Sequence, residues 1–176
     1  AFSRLLLLVI CTTIAVWGLR SFIPLYRVDV MQQSPTAAGS ALTLLFAFGV
    51  ITTLVGGLLA DRFGYLKIVR VSYILLAISV ALLSQTKSPL VGYLLLVPMG
   101  FAMFAPFSSV VVLGQMYLAR SIGFASGVTM GLFFSVGGLI IPLIGSFADD
   151  QGLMLTMQLL AAVAALAAQA KAKLGA

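Results

Sequence analysis

Six long apolar runs joined by short connections leave this chain few choices of fold. They cover about residues 5–26, 37–60, 68–84, 89–113, 122–147 and 153–170. A helix needs about 20 mostly apolar residues to cross a bilayer. In hydrocarbon every backbone N–H and C=O must be paired within the protein, so an isolated run of this kind crosses as a helix. The expected fold is all-α, one bundle of six transmembrane helices over residues 1–176. Connections this short are expected to make consecutive helices antiparallel neighbours. The balance of residue types agrees, since 62% are hydrophobic and only 8% charged, with mean hydropathy +1.20. A soluble domain has no way to hide that much apolar surface.

The first run, with Arg4 ahead of a Leu-rich stretch, has some features of a secretory signal. It continues through Arg20, Pro24 and Tyr26, however, and no small-x-small cleavage site closes it, so it reads as a span. The chain begins at Ala1, which fits a segment of a longer protein.

Charge gives the orientation. The N-terminus, the 61–67 loop, the loop at Arg120 and the C-terminus carry Arg4, Arg62, Lys67, Arg70, Arg120, Lys171 and Lys173. The opposite set carries Arg20, Arg27 and Lys87. Cytoplasmic loops are richer in Lys and Arg, which puts both termini in the cytoplasm. The same pattern accounts for the net charge of +6 without any nucleic-acid partner. The single Cys11 has no disulfide partner, and there is no histidine. No metal, cofactor or catalytic group is expected, and the chain does not read as an enzyme.

Between the second and third runs stands Gly57-Leu58-Leu59-Ala60-Asp61-Arg62-Phe63-Gly64, followed by Lys67 and Arg70. This G-x-L-A-D-R-x-G pattern is similar to the loop between the second and third helices of a six-helix half in the major facilitator superfamily of transporters. The family usually has two basic residues after the second glycine, where this chain has Tyr65 and Leu66. A second stretch runs Gly114-Gln115-Met116-Tyr117-Leu118, then Arg120-Ser121-Ile122-Gly123-Phe124-Ala125-Ser126-Gly127 and Gly131. It resembles the fourth-to-fifth helix turn in the C-terminal half of fosmidomycin-resistance-type transporters.

The resemblance implies a C-terminal six-helix half built as a 3+3 inverted repeat. It also implies a missing N-terminal half, or a second copy in its place. An internal echo fits: Gly57-x-x-Ala60-Asp61-x-x-Gly64 recurs as Gly145-x-x-Ala148-Asp149-x-x-Gly152. By the resemblance, Gly57, Asp61, Arg62, Gly64 and Lys67 form a gating loop. Asp61 would meet a helix N-terminus of the other half and be held by its dipole. Asp149 and Asp150 read as solvated loop acids, or as an outer contact to Arg27 or Lys87.

Small residues recur every fourth position at Gly123, Gly127 and Gly131, and again at Gly49, Thr53 and Gly57. Such stripes let helix backbones approach closely in lipid. They serve either packing within the bundle or a seam against another half, and the resemblance implies the seam. Pro24, Pro98, Pro106 and Pro142 fall in or near spans and can kink them. Tyr26, Tyr93, Tyr65 and Tyr117 fit an aromatic belt at the two interfaces.

Arg20 lies deep in the first run. A charge there costs at least about 2.5–3.5 kcal/mol at the bilayer centre and less toward the interface. Either it faces a cavity and attracts an anionic group, or it snorkels to the headgroups. Trp17, Phe104 and the other phenylalanines at 101, 107, 133 and 134 either line such a cavity or pack the bundle. The function that the resemblance implies is alternating-access transport of a small molecule across the bacterial inner (plasma) membrane. Proton-coupled efflux of a drug or metabolite leads, with an antiporter role in drug resistance. Organic-anion uptake anchored by Arg20 is the alternative, and a non-transporting receptor or assembly protein is a third reading.

Overall fold

A computed structural model describes residues 2–117 and 119–170. Lys171, Lys173 and Leu118 lie outside the described part, as do the side chains of Arg4 and Tyr117. The chain is built of α1 (Phe2–Asp29), α2 (Pro35–Phe63), α3 (Tyr65–Gln85), α4 (Pro89–Tyr117), α5 (Ile122–Gln151) and α6 (Leu153–Ala170). A single 3₁₀ turn, Ala119–Ser121, precedes α5. Five of the helices are long and apolar enough to cross a membrane, and α6 is a shorter apolar helix. The protein is an all-α membrane bundle.

Local chemistry sets the corners. Ser34 caps α2 by accepting from the Ala37 N–H at 3.2 Å, and Pro35 follows with its preset φ at the first helical position. At the far end of α2, Gly64 turns the chain at φ +96° and donates its N–H to Ala60 O at 2.8 Å. Gly152 does the same after α5, at φ +87° with its N–H on Ala148 O at 2.9 Å. A side chain is strained in this backbone region, so glycine is required at both places. The two Gly-x-x-Ala-Asp-x-x-Gly echoes therefore fold into the same corner.

Packing carries the same symmetry. The main pairings are α2 with α4, α3 with α4, α3 with α6, α1 with α6 and α1 with α5. Exchanging α1–α3 for α4–α6 turns this set into itself. Consecutive helices do touch, and α3 with α4 strongly, but α2 and α3 touch little, as do α5 and α6. A short corner fixes where a helix starts, but its apolar face goes to the partner with the complementary surface.

Five threonine hydroxyls inside the spans are satisfied close to home. Thr12 and Thr13 donate to Val9 O, Thr52 and Thr53 to Gly49 O, and Thr129 to Ala125 O. This back-bonding is how a hydroxyl survives in hydrocarbon. Longer ties align helix ends. Tyr26 donates to Ser84 O and Thr86 O, joining the ends of α1 and α3. Tyr93 donates to Ala37 O, joining the starts of α2 and α4. The belt reading of Tyr26 is corrected by this: it is fully buried, and its hydroxyl serves the bundle rather than the headgroups. At the opposite end, Gln115 donates to Ser126 Oγ at 2.9 Å and ties α4 to α5.

Candidate substrate cleft

Four helices converge on one cleft of about 310 Å³. Val16 and Arg20 come from α1, Thr53 from α2, Met103, Phe104 and Phe107 from α4, and Phe133 and Phe134 from α5. The lining is apolar and aromatic with a single full charge, Arg20. Arg20 is half-buried and makes no hydrogen bond or ion pair among the described residues. Its guanidinium lies over two rings instead, 4.7 Å from the Trp17 centroid and 4.5 Å from that of Phe46.

A run of ring contacts extends from this pair. Phe46 meets Phe104 edge-on at 5.9 Å. Trp17 meets Phe133 at 6.2 Å and Phe134 at 6.0 Å, and Phe107 meets Phe133 at 5.4 Å. Tilted and edge-to-face pairs at these separations are favourable beyond the area they bury. Each cation–π contact is worth about 0.5–2 kcal/mol, depending on desolvation. Two of them offset much of the about 2.5–3.5 kcal/mol that a central membrane charge costs. Ring contacts of this kind use none of the guanidinium's N–H donors as hydrogen bonds, and Arg20 makes no hydrogen bond among the described residues.

Arg20, Trp17 and Phe104 are thus brought to one place. Phe46 completes it and was not singled out from sequence. An aromatic on a lipid-spanning helix carries no mark of which way it faces, and the only clue is its position three residues before Gly49. Glycines make room for the rings. A Cβ at Gly49 would stand 2.8 Å from the Phe104 ring, and one at Gly137 would stand 2.6 Å from Trp17.

Most of the glycines singled out from sequence lie apart from the cleft. Thr53 lines it, but Gly57 sits one turn farther on, with only Ser108 Oγ within reach of an added Cβ, at 3.7 Å. Gly56 is packed hardest, since a Cβ there would be 2.5 Å from the Ala105 backbone. Gly123, Gly127 and Gly131 form an exposed row on α5 with nothing within 4 Å of an added Cβ.

The 61–67 corner is a separate exposed cluster. Tyr65 donates to Asp61 Oδ1 at 2.6 Å. The residue standing where the family usually has a basic one therefore gives Asp61 a local partner. Arg62 and Lys67 both approach the Phe63 ring, at 5.7 Å and 5.9 Å. Asp149 and Asp150 are exposed, and Asp149 shares an open cleft with Asp29. Arg27 has no hydrogen-bonded partner among the described residues, so it makes no such contact to either acid.

Known proteins match this chain along most of its length. The model of the Major Facilitator Superfamily matches residues 1–142. The MFS-type transporter YfnC of Bacillus subtilis strain 168 is 33% identical over 137 residues, which are 78% of this chain and 33% of that protein. The fosmidomycin resistance protein of Escherichia coli strain K12 is 27% identical over 164 residues, 92% of this chain and 39% of that protein. The chain therefore spans about a third of the length of the curated relatives it matches. With six helices, paired glycine corners and the matching loop motif, it belongs to the major facilitator superfamily, an integral membrane protein of a transporter family.

Proposed function

We propose that this chain is one six-helix half of an alternating-access transporter in the bacterial inner membrane, with both termini cytoplasmic. Its cleft at Arg20 forms one wall of the substrate path. The observation that carries the reading is the guanidinium of Arg20, packed on Trp17 and Phe46 in an otherwise apolar cleft. That arrangement suits a small molecule with an apolar body and one acceptor group. A six-helix half that lines the other side of the cavity, either N-terminal to this chain or a second copy of it, completes the path. The open Gly123–Gly127–Gly131 row on α5 is where that half approaches.

Proton-coupled efflux is the leading version. The Escherichia coli relative, named for fosmidomycin resistance, supports export. All four aspartates are exposed at helix ends, so a deep proton-binding carboxylate, if used, belongs to the other half. Asp61 serves the inner gate and trades its Tyr65 partner for a helix N-terminus of the other half as the gate closes. The test is to express the intact gene product in a drug-sensitive host and measure survival on fosmidomycin and a drug panel, with and without a protonophore. Protection abolished by the protonophore supports proton-driven efflux. Accumulation of an organic anion, lost in Arg20→Ala, would replace efflux with uptake. Partner binding without any flux would replace both.

A further inference from the structure

Arg27, in the last turn of α1, is 0% exposed, and none of its three guanidinium nitrogens has a hydrogen-bond partner. The guanidinium carbon lies over Tyr93, 4.0 Å from the ring centroid. That contact satisfies the charge in part but leaves the N–H donors without an acceptor. Nη1 would be 2.9 Å from a Cβ at Gly92, the fourth residue of α4, so the head group occupies the space that a side chain there would need. It therefore lies against the first turn of α4.

That turn is itself positive. A helix start presents unpaired N–H groups and the positive end of the helix dipole. Pro89 has no N–H, but Leu90 and Val91 do. Lys87, exposed just ahead of α4, adds to the field. The acid nearest in sequence, Asp29, is two positions along α1 and faces the open cleft it shares with Asp149. A buried cation and a helix start thus share one place with no negative group between them among the described residues. An anion bridging the two relieves both. Met31 covers the spot, its Sδ and Cε each 3.1 Å from the same Gly92 Cβ position. Its flexible thioether chain can swing aside for a ligand.

We propose that Arg27 and the first turn of α4 form an anion site that binds a phosphate group. The guanidinium fork matches phosphate oxygens in pairs, and a helix N-terminus favours the same ion. The end of α1 lies at the level where a spanning helix leaves the hydrocarbon. Both lipid headgroups and free phosphate can supply the ligand there.

The experiment follows thermal unfolding of the purified intact protein in detergent. Inorganic phosphate is titrated against sodium chloride at equal ionic strength, and phospholipid is added in a second series. The melting temperature of the wild type is expected to rise by several degrees in at least one series, as for any ligand that binds the native state. A rise with inorganic phosphate identifies a free anion, and a rise with phospholipid alone identifies a headgroup. Arg27→Gln should abolish the rise, and Arg27→Lys, which keeps the charge but loses the fork, should shift half-saturation at least tenfold. No rise in either series overturns the proposal, whether or not the variants fold. So does a wild-type half-saturation in Arg27→Lys, or an undiminished rise in Arg27→Gln.

Discussion

α2 and α5 hold equivalent places in the repeat, and both carry small residues at four-residue spacing, yet they use them in opposite ways. On α2 Gly49 and Gly56 face inward, while Gly57 stands farther out. Gly49 receives the Phe104 ring and Gly56 lies against the Ala105 backbone. On α5 the row at Gly123, Gly127 and Gly131 faces outward and touches nothing within 4 Å. Only Gly137, farther along α5, repeats the α2 behaviour by making room for Trp17. Both helices leave most of their length uncovered: 22% of the apolar window of α2 and 17% of that of α5 is buried, against 56% for α1. Small-residue spacing states that a close approach is possible. It does not state which surface makes it.

Alanine substitutions turn this difference into numbers. Gly56→Ala should be the most damaging to stability, because its Cβ meets backbone, which has no rotamer to escape into. Overpacking of this kind costs about 1–3 kcal/mol. A melting temperature unchanged from wild type would show that α2 and α4 are not packed as described. Gly49→Ala should cost less, since the Phe104 ring can turn away. The ring would then move within the cleft, so substrate preference should change more than stability, as measured by flux of several substrates. Gly127→Ala should move stability by less than about 0.5 kcal/mol, the usual range for an exposed site. Under the proposed seam it should still reduce transport severalfold in the intact protein. Normal flux in Gly127→Val, a bulkier change, would assign that row to lipid instead. The smallest effect is expected from Tyr65→Phe, which removes one exposed hydrogen bond from Asp61. It should leave the fold intact and shift the accessibility of engineered cytoplasmic cysteines only slightly, whereas Asp61→Asn should open the inner side clearly.

The bundle was legible because hydropathy is a one-dimensional property: six runs, six helices. The repeat was legible too, since the echo at Gly57–Gly64 and Gly145–Gly152 becomes two corners with the same positive φ and the same hydrogen bond. What a helix faces was not legible. Arg20, Trp17 and Phe104 could be picked out by chemistry, but Phe46, the second ring under Arg20, could not. Tyr26 reads as an interfacial residue and Arg27 as an outer-side charge, and both are buried against neighbouring helices. Depth follows from position along a span. Facing depends on which helices meet, and the strongest pairings here lie mostly between helices distant in sequence.

Arg20 is the residue on which the proposed substrate path depends most. In the intact protein, Arg20→Ala should leave abundance and melting temperature near wild type while substrate affinity falls. The loss of a hydrogen bond to a charged group, about 1.5–3 kcal/mol, corresponds to roughly tenfold or more in affinity. Arg20→Lys should recover only part of it. Affinity and flux unchanged in Arg20→Ala would contradict the account and make Arg20 a charge that the aromatic rings merely shelter.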